Sequence, residues 1–412
     1  MNTKEISGQR QYDFVSKFNY SREAGTIDEK RAADAILEEL AQFGARGVSE
    51  SFPVNAFRIL NAQLIITEPY EKEYTVTGYG FCGNTPKTGL EAPFLYVEDG
   101  DEISLSHARD KIVLINNRVR EDMLKRIAEA GASGFVSITG TPLDTGVDRL
   151  PLSCRISRRE ASLPQIPGVN LHYLDAVEIV TKGASRARLV LRQEESVHTS
   201  QNLVLRVEGT DKADEIISLT AHYDSVPEGP GAYDNMAGCS IILELCRYFR
   251  KHPARRTLEF IFFGAEEKGL VGSKYYVTGH KQELPGHQLN MNVDLAGQLV
   301  GGTVIGVTGD AGICKLMMDL AREIGLGLSV KHQVWSSDSN SFAREGVPAF
   351  TMGRDGFGLH TRHDTLDLIS PWSLERSAVL LGHIAERIGN METLPFPRTV
   401  PEEFIEALKQ AP

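Results

Sequence analysis

Three apolar segments in the second half of the chain each end in a residue that can bind a metal ion. They are residues 215–220 followed by His222, 258–264 followed by Glu266 and Glu267, and 289–295 with Asp294 near its end. Their apolar character, and the polar or turn residues that bound them, predict buried strands. In open α/β sheets, ligands bind outside the carboxyl ends of the strands. We therefore expect an α/β protein with a ligand crevice at that edge of its sheet.

The pair His222 and Asp224 has the spacing of side chains on one face of a strand. Because successive strand side chains alternate, these two point to the same side. The Asp224 carboxylate can then accept the second ring N–H of His222, as carboxylates do for histidines that bind metal. Alternatively, both groups are satisfied by solvent and backbone at the end of a strand.

Further acidic residues and histidines follow at turns. Asp234 lies in a glycine-rich loop before an amphipathic helical segment, where a carboxylate could also be a simple N-cap. Glu266 and Glu267 are adjacent, so their side chains diverge and can serve separately as base and ligand, although paired glutamates in a turn are often only solvated. Near the C-terminal part of the fold, spacing leaves both His360 and His363 as candidates.

Five sequence blocks together resemble the zinc exopeptidases of metallopeptidase family 28, which include bacterial leucyl aminopeptidase and aminopeptidase Y. The blocks occur in the family's order, and the resemblance covers nearly the whole chain. They are HYDSVP (222–227), GPGAYDNMAG (229–238), GAEEKGLVGS (264–273), NVDLAG (292–297) and HTRHDT (360–365).

The resemblance implies a two-zinc centre and assigns a role to each candidate. His360, and not His363, matches the family's pattern. Imidazole and carboxylate ligands suit zinc, and cobalt or manganese could substitute. The implied roles are Asp234 bridging both ions, Glu267 and His360 completing one site, His222 and Asp294 completing the other, Glu266 as catalytic base and Asp224 supporting His222.

The expected architecture is a three-layer α/β/α peptidase domain with a mixed, mostly parallel central sheet and a smaller, β-rich inserted domain. The insert resembles the protease-associated domain of these enzymes. The predicted boundaries are 1–60 for the first part of the peptidase domain, 61–196 for the insert, 197–396 for the catalytic domain and 397–412 for a C-terminal tail.

The expected activity is that of an aminopeptidase, which cuts the first peptide bond with a metal-activated water and Glu266 as base. A carboxypeptidase or dipeptidase on the same metal core is the alternative, with Arg354 or Arg362 capturing the substrate carboxylate. From a different class, a non-catalytic binding protein is disfavoured because all five metal ligands and Glu266 are present. Trp335 and Phe357 are candidate pocket walls.

Charge and hydropathy bear on partners and location. With 44 Lys and Arg against 55 Asp and Glu, the net charge of −11 makes nucleic acid an unexpected partner. No stretch approaches the roughly 18 apolar residues of a membrane span. The N-terminal residues lack the apolar core of a signal peptide, so we expect a cytoplasmic location, or secretion if such a signal had been removed. Peptides are the expected substrates, and the sequence does not indicate an oligomeric state.

Overall fold

The computed structural model describes residues 1–157 and 163–410. Two compact units are present: Met1–Val54 together with His198–Pro412, and Asn55–Val197. These boundaries lie six residues before and one residue after those expected from the sequence at 60/61 and 196/197. The identity of the second unit as a protease-associated domain stays a prediction.

The regular elements of the described residues are numbered here in chain order. The helices are α1 (Gly8–Val15), α2 (Ile27–Gln42), α3 (Glu102–Leu105), α4 (Glu121–Glu129), α5 (Tyr173–Thr181), α6 (Ala237–Phe249), α7 (Val271–Gly279), α8 (Ala311–Glu323), α9 (Ser339–Arg344), α10 (Pro371–Asn390) and α11 (Glu402–Gln410). The strands are β1 (Val48–Glu68), β2 (Lys72–Tyr74), β3 (Val76–Gly80), β4 (Leu90–Tyr96), β5 (Ile112–Ile115), β6 (Gly134–Thr139), β7 (Cys154–Arg155), β8 (Gly168–His172), β9 (Arg186–Val207), β10 (Lys212–His222), β11 (Arg256–Phe263), β12 (His287–Val293), β13 (Thr303–Thr308), β14 (Ser329–His332) and β15 (Ala349–Arg354).

The sheet of the first unit is mixed and mostly parallel, as expected. Its strand order is β14, β13, β15, β12, β10, β11 and β9. The central pairs of β10 with β11, β10 with β12 and β12 with β15 are parallel, whereas β9 with β11 and β13 with β15 run antiparallel. Since β10, β11 and β12 are parallel neighbours, His222, Glu266, Glu267 and Asp294 all emerge at one edge.

Helices cover both faces of this sheet. Every residue of β11 is buried. Phe260 and Phe262 belong to the large core that includes α1, α6, α8 and α10, whereas Ile261 and Phe263 pack against Tyr276 of α7 in a second core. Alternate side chains of one strand therefore enter separate cores, which is the packing of a three-layer α/β/α domain. The predicted fold class is confirmed.

Helix α2 begins with a capping arrangement at Thr26. The Thr26 hydroxyl accepts the Glu29 N–H, and the Glu29 carboxylate accepts the Gly25 N–H at 2.7 Å, one residue earlier than in a standard capping box. Glu29 also accepts a hydrogen bond from the Ser200 hydroxyl at 2.6 Å and is almost fully buried. Its carboxylate is therefore an interior group as well as a cap.

The second unit has its own sheet and its own cores. Strands β4, β5, β6 and β8 are consecutive parallel neighbours, and β3 pairs antiparallel with β8. On β5, Val113 and Ile115 belong to one core and Ile112 and Leu114 to the other, so this sheet is also covered on both faces. Helix α4 contributes Leu124 and Ile127 to the first of these cores.

The segment expected as a C-terminal tail contains helix α11. Its Phe404 and Leu408 are spaced by one helical turn and are buried against Ala343 and Ala349, which anchors the segment to the first unit. The last two residues of the predicted tail, 411 and 412, and residues 158–162 of the predicted insert lie outside the described residues. Among the residues described, no helix is long and apolar enough to cross a membrane.

Candidate metal centre

Two groups of potential metal ligands lie at the carboxyl edge of the central strands, and they share one residue. The first consists of His222, Asp234 and Asp294, and the second of Asp234, Glu267 and His360. In each group the ligand atoms lie within 4.8 Å of one another. All five residues that were predicted as ligands are therefore brought together, although they span 139 positions of the sequence.

Asp234 directs one carboxylate oxygen into each group. Its Oδ1 lies 3.1 Å from His222 Nε2, and its Oδ2 lies 3.1 Å from His360 Nε2. His222 Nε2 is also 3.4 Å from Asp294 Oδ1, and His360 Nε2 is 3.1 Å from Glu267 Oε1. A carboxylate in this position can join two cation sites, and the mixture of imidazole nitrogen and carboxylate oxygen fits zinc.

The carboxylates of the two ligand groups are close together and are stabilised by nearby positive charge. Burial disfavours the charged form of His360, yet its hydrogen bonds to Asp234 and Glu267 raise the pKa of the imidazole to about 11. Burial and the nearby Asp234 raise the pKa of Glu267 to about 7. Protons on these side chains offset the crowded carboxylates, and divalent cations would satisfy the same requirement.

Asp224 lies near His222 and also contacts the turn that carries the two glutamates. Its Oδ1 lies 3.5 Å from His222 Nδ1, which is longer than a normal hydrogen bond. The stronger contacts are with the turn after β11, because the carboxylate oxygens accept the main-chain N–H groups of Glu266 at 2.9 Å and Glu267 at 3.1 Å. Asp224 is fully buried, so these bonds fix the turn that carries both glutamates.

Glu266 stands beside the two groups without belonging to either. Burial raises the pKa of its carboxyl group well above the usual range; the positive charge of His222 opposes this, and Glu267 and Asp338 add to it. A carboxyl group beside a metal centre can accept a proton and return it during a reaction. The two adjacent glutamates therefore differ in their placement relative to the ligand groups.

Ser337 is a site residue that sequence reasoning missed. Its hydroxyl donates to Asp294 Oδ2 at 2.7 Å and accepts a hydrogen bond from Asn292 Nδ2 at 2.6 Å. The serine thus orients a carboxylate of the first group from a loop 43 residues further along the chain. A serine in a polar segment has no local signal that would have distinguished it from its neighbours.

The structure decides between several candidates that the sequence left open. In the part of the chain that the structure describes, His360 and not His363 joins a metal-ligand group. The prediction that Arg354 could bind the substrate carboxylate is wrong, because this side chain is 6% exposed and is already engaged in hydrogen bonds. Its guanidinium donates to the carbonyls of Gln298 and Leu299 and to the hydroxyl of Thr303. Phe357 is 83% exposed, and its role as a pocket wall stays a prediction.

The chain is similar to known peptidases. Residues 202–385 match the sequence profile of peptidase family M28. Aminopeptidase YwaD of Bacillus subtilis is 27% identical over 71% of this chain, and the matched region spans 64% of the length of that relative. Carboxypeptidase Q of Homo sapiens is 24% identical over 92% of this chain and 84% of its own length.

Solved structures show the same fold. BSAP, a zinc aminopeptidase from Bacillus subtilis, superposes with a TM-score of 0.81 at 23% identity, over 97% of this chain and 99% of that one. The peptidase M28 precursor from Shewanella amazonensis is 26% identical, with a TM-score of 0.77 over 94% of this chain and 95% of its own. The match to peptidase family M28 covers residues 202–385, which contain all five of the sequence blocks that resemble the family. The same region contains the paired groups of potential metal ligands.

Proposed function

We propose that this protein is a metal-dependent exopeptidase, and specifically an aminopeptidase that holds two zinc ions. One observation carries the proposal: the two oxygens of Asp234 point to different histidines, so that one carboxylate serves two ligand groups. His222 and Asp294 would complete the first metal site, and Glu267 and His360 the second. The similarity to aminopeptidases along most of the chain supports this choice of activity.

The metal ions and the side chains of the centre would have separate tasks in the reaction. Two divalent cations would supply Lewis-acid polarisation of the scissile carbonyl and would acidify the attacking water. Glu266 removes a proton from that water as it attacks the carbonyl carbon. The same carboxyl group then gives the proton to the amine that leaves when the C–N bond breaks. Asp224 holds the Glu266 N–H and so keeps this side chain beside the centre.

A panel of aminoacyl p-nitroanilides, each with a free and an N-acetylated α-amino group, tests the proposal on the zinc-loaded protein. An aminopeptidase releases nitroaniline only from the free-amine members, and a chelator abolishes the reaction. Equal turnover of the acetylated members would contradict exopeptidase action at the N-terminus. Turnover that persists after complete removal of metal would contradict the metal-dependent mechanism.

Carboxypeptidase activity is the second candidate, because the match to human carboxypeptidase Q covers 92% of the chain. That reaction needs a cation that holds the substrate carboxylate. The engagement of Arg354 with main-chain carbonyls removes one of the two arginines considered for this task. N-blocked dipeptides with a free C-terminus test the alternative directly, since only a carboxypeptidase would hydrolyse them.

A further inference from the structure

The loop that presents Asp234 is held by two buried side chains of opposite charge. Arg22 comes from the segment before α2, and Asp364 comes from the loop that carries His360. Arg22 is completely buried and Asp364 is 2% exposed. Burying a charge is costly unless it is well bonded, so such groups point to a positional requirement.

Arg22 binds the carbonyl side of the loop. Its guanidinium donates to the carbonyl oxygens of Pro230 and Gly231, the latter at 3.0 Å. Its Nε donates to the Tyr223 carbonyl at 2.7 Å, immediately after His222. One planar fork of donors therefore connects the Asp234 loop to the strand end that carries His222.

Asp364 binds the amide side of the same loop. Its Oδ1 accepts the Tyr233 N–H at 2.6 Å, and its Oδ2 accepts the Asp234 N–H at 2.9 Å. Because Asp364 lies four residues after His360, these bonds connect the Asp234 loop to the second ligand group. Hydrogen bonds to an ionised acceptor are about twice as strong as neutral ones.

The loop between these two contacts has little freedom. Gly231 has a φ of +57°, and a Cβ added there would come 2.3 Å from the Asp234 carbonyl oxygen. Only glycine fits this turn. The backbone of Asp234 is thus fixed from both sides, and its two oxygens are aimed at His222 and His360 with equal distances of 3.1 Å.

We propose that Arg22 and Asp364 are positioning residues that make Asp234 a shared ligand. Arg22 fixes the position of the Asp234 loop relative to His222, and Asp364 fixes the position of the same loop relative to His360. This inference rests on the proposed two-metal function. Neither residue need touch the substrate. Loss of either contact lets the Asp234 carboxylate turn towards one ligand group. One cation site then keeps its affinity, and the affinity of the other site falls.

Titration of the metal-free protein with Co²⁺ tests the inference. The variants are Asp364→Asn, which removes the charge and one acceptor, and Arg22→Lys, which keeps the charge but loses the fork. Matched controls are Asp367→Asn, an exposed acid in the same loop, and Arg31→Lys, an exposed cation on α2. The readouts are the number of ions bound, the two stepwise dissociation constants from chelator competition, and the visible absorption of each bound ion.

We expect the first ion to bind both variants as it binds the wild type, and the second to bind roughly 10- to 100-fold more weakly with an altered spectrum. The controls should match the wild type. If both variants bind two ions with wild-type dissociation constants and spectra, the positioning roles of Arg22 and Asp364 are wrong, while the proposed function is unaffected. A wild-type protein that binds fewer than two ions would overturn the proposed function as well. Circular dichroism identifies any variant that does not fold, and the other variant then decides.

Discussion

Replacement of Glu29 by glutamine should remove a pH-dependent loss of stability from the metal-free protein. Glu29 is 1% exposed, and its oxygens accept hydrogen bonds from the Ser200 hydroxyl and the Gly25 N–H. Burial, reinforced by the negative charge of Asp224, raises the pKa of this carboxyl group from 4.5 to about 8. Glutamine can keep both contacts, because its oxygen accepts the Gly25 N–H and its amide can donate to Ser200.

The sign and size of the effect follow from proton linkage. Between pH 4.5 and pH 8 the unfolded chain has released the Glu29 proton, whereas the folded protein still holds it. The folded state therefore binds more protons, and its free energy of unfolding falls as pH rises through this window. At pH 8 the loss amounts to about 4 kcal/mol at most, and it is smaller if local opening lets water reach the carboxyl group.

Urea unfolding in the presence of a chelator, measured from pH 4.5 to pH 8.5, provides the assay. Glu29→Gln should have nearly the wild-type stability at pH 4.5 and should exceed it increasingly towards pH 8. Glu38→Gln, an exposed substitution on the same helix, serves as the control and should follow the wild type. If Glu29→Gln and the wild type lose stability with the same slope, then the buried carboxyl group is not protonated and the reasoning is wrong.

Three further predictions concern the metal centre. Glu266→Gln should lower kcat roughly 10²- to 10⁴-fold with an unchanged metal content by mass spectrometry; loss of metal would mean that Glu266 and Glu267 have exchanged roles. Ser337→Ala removes a bond to the Asp294 carboxylate worth about 1.5–3 kcal/mol, so chelator competition should show roughly 10- to 150-fold weaker metal binding, while the exposed Ser336→Ala should show none of this. Removal of metal should abolish turnover and zinc should restore it, and recovery with magnesium alone would argue against the nitrogen-containing ligand set.

The parts of the site that lie at strand ends could be predicted from the sequence. His222, Glu266 and Asp294 each follow an apolar run, and parallel strands bring such ends together. His360 lies in a loop without a periodic signal, and only the resemblance separated it from His363. The same runs predicted an α/β protein, and the family resemblance implied its three-layer arrangement.

The residues that hold the ligands in place could not be predicted. Arg22 contacts a loop about 200 positions away, and Asp364 contacts one about 130 positions away. Neither residue lies in a periodic sequence pattern, and an arginine before a helix would ordinarily be expected at the surface. Arg354 shows the opposite case. The sequence offers it, within the carboxypeptidase alternative, as one of two cations for the substrate carboxylate, whereas the structure bonds it to main-chain carbonyls.

Mass spectrometry of one unblocked peptide with distinguishable ends, after incubation with the zinc-loaded protein, tests the central proposal most directly. The aminopeptidase account predicts a ladder of products that lose residues one at a time from the N-terminus, and no ladder after chelation or in Glu266→Gln. Loss of residues from the C-terminus, or internal cleavage that leaves both ends intact, would contradict it.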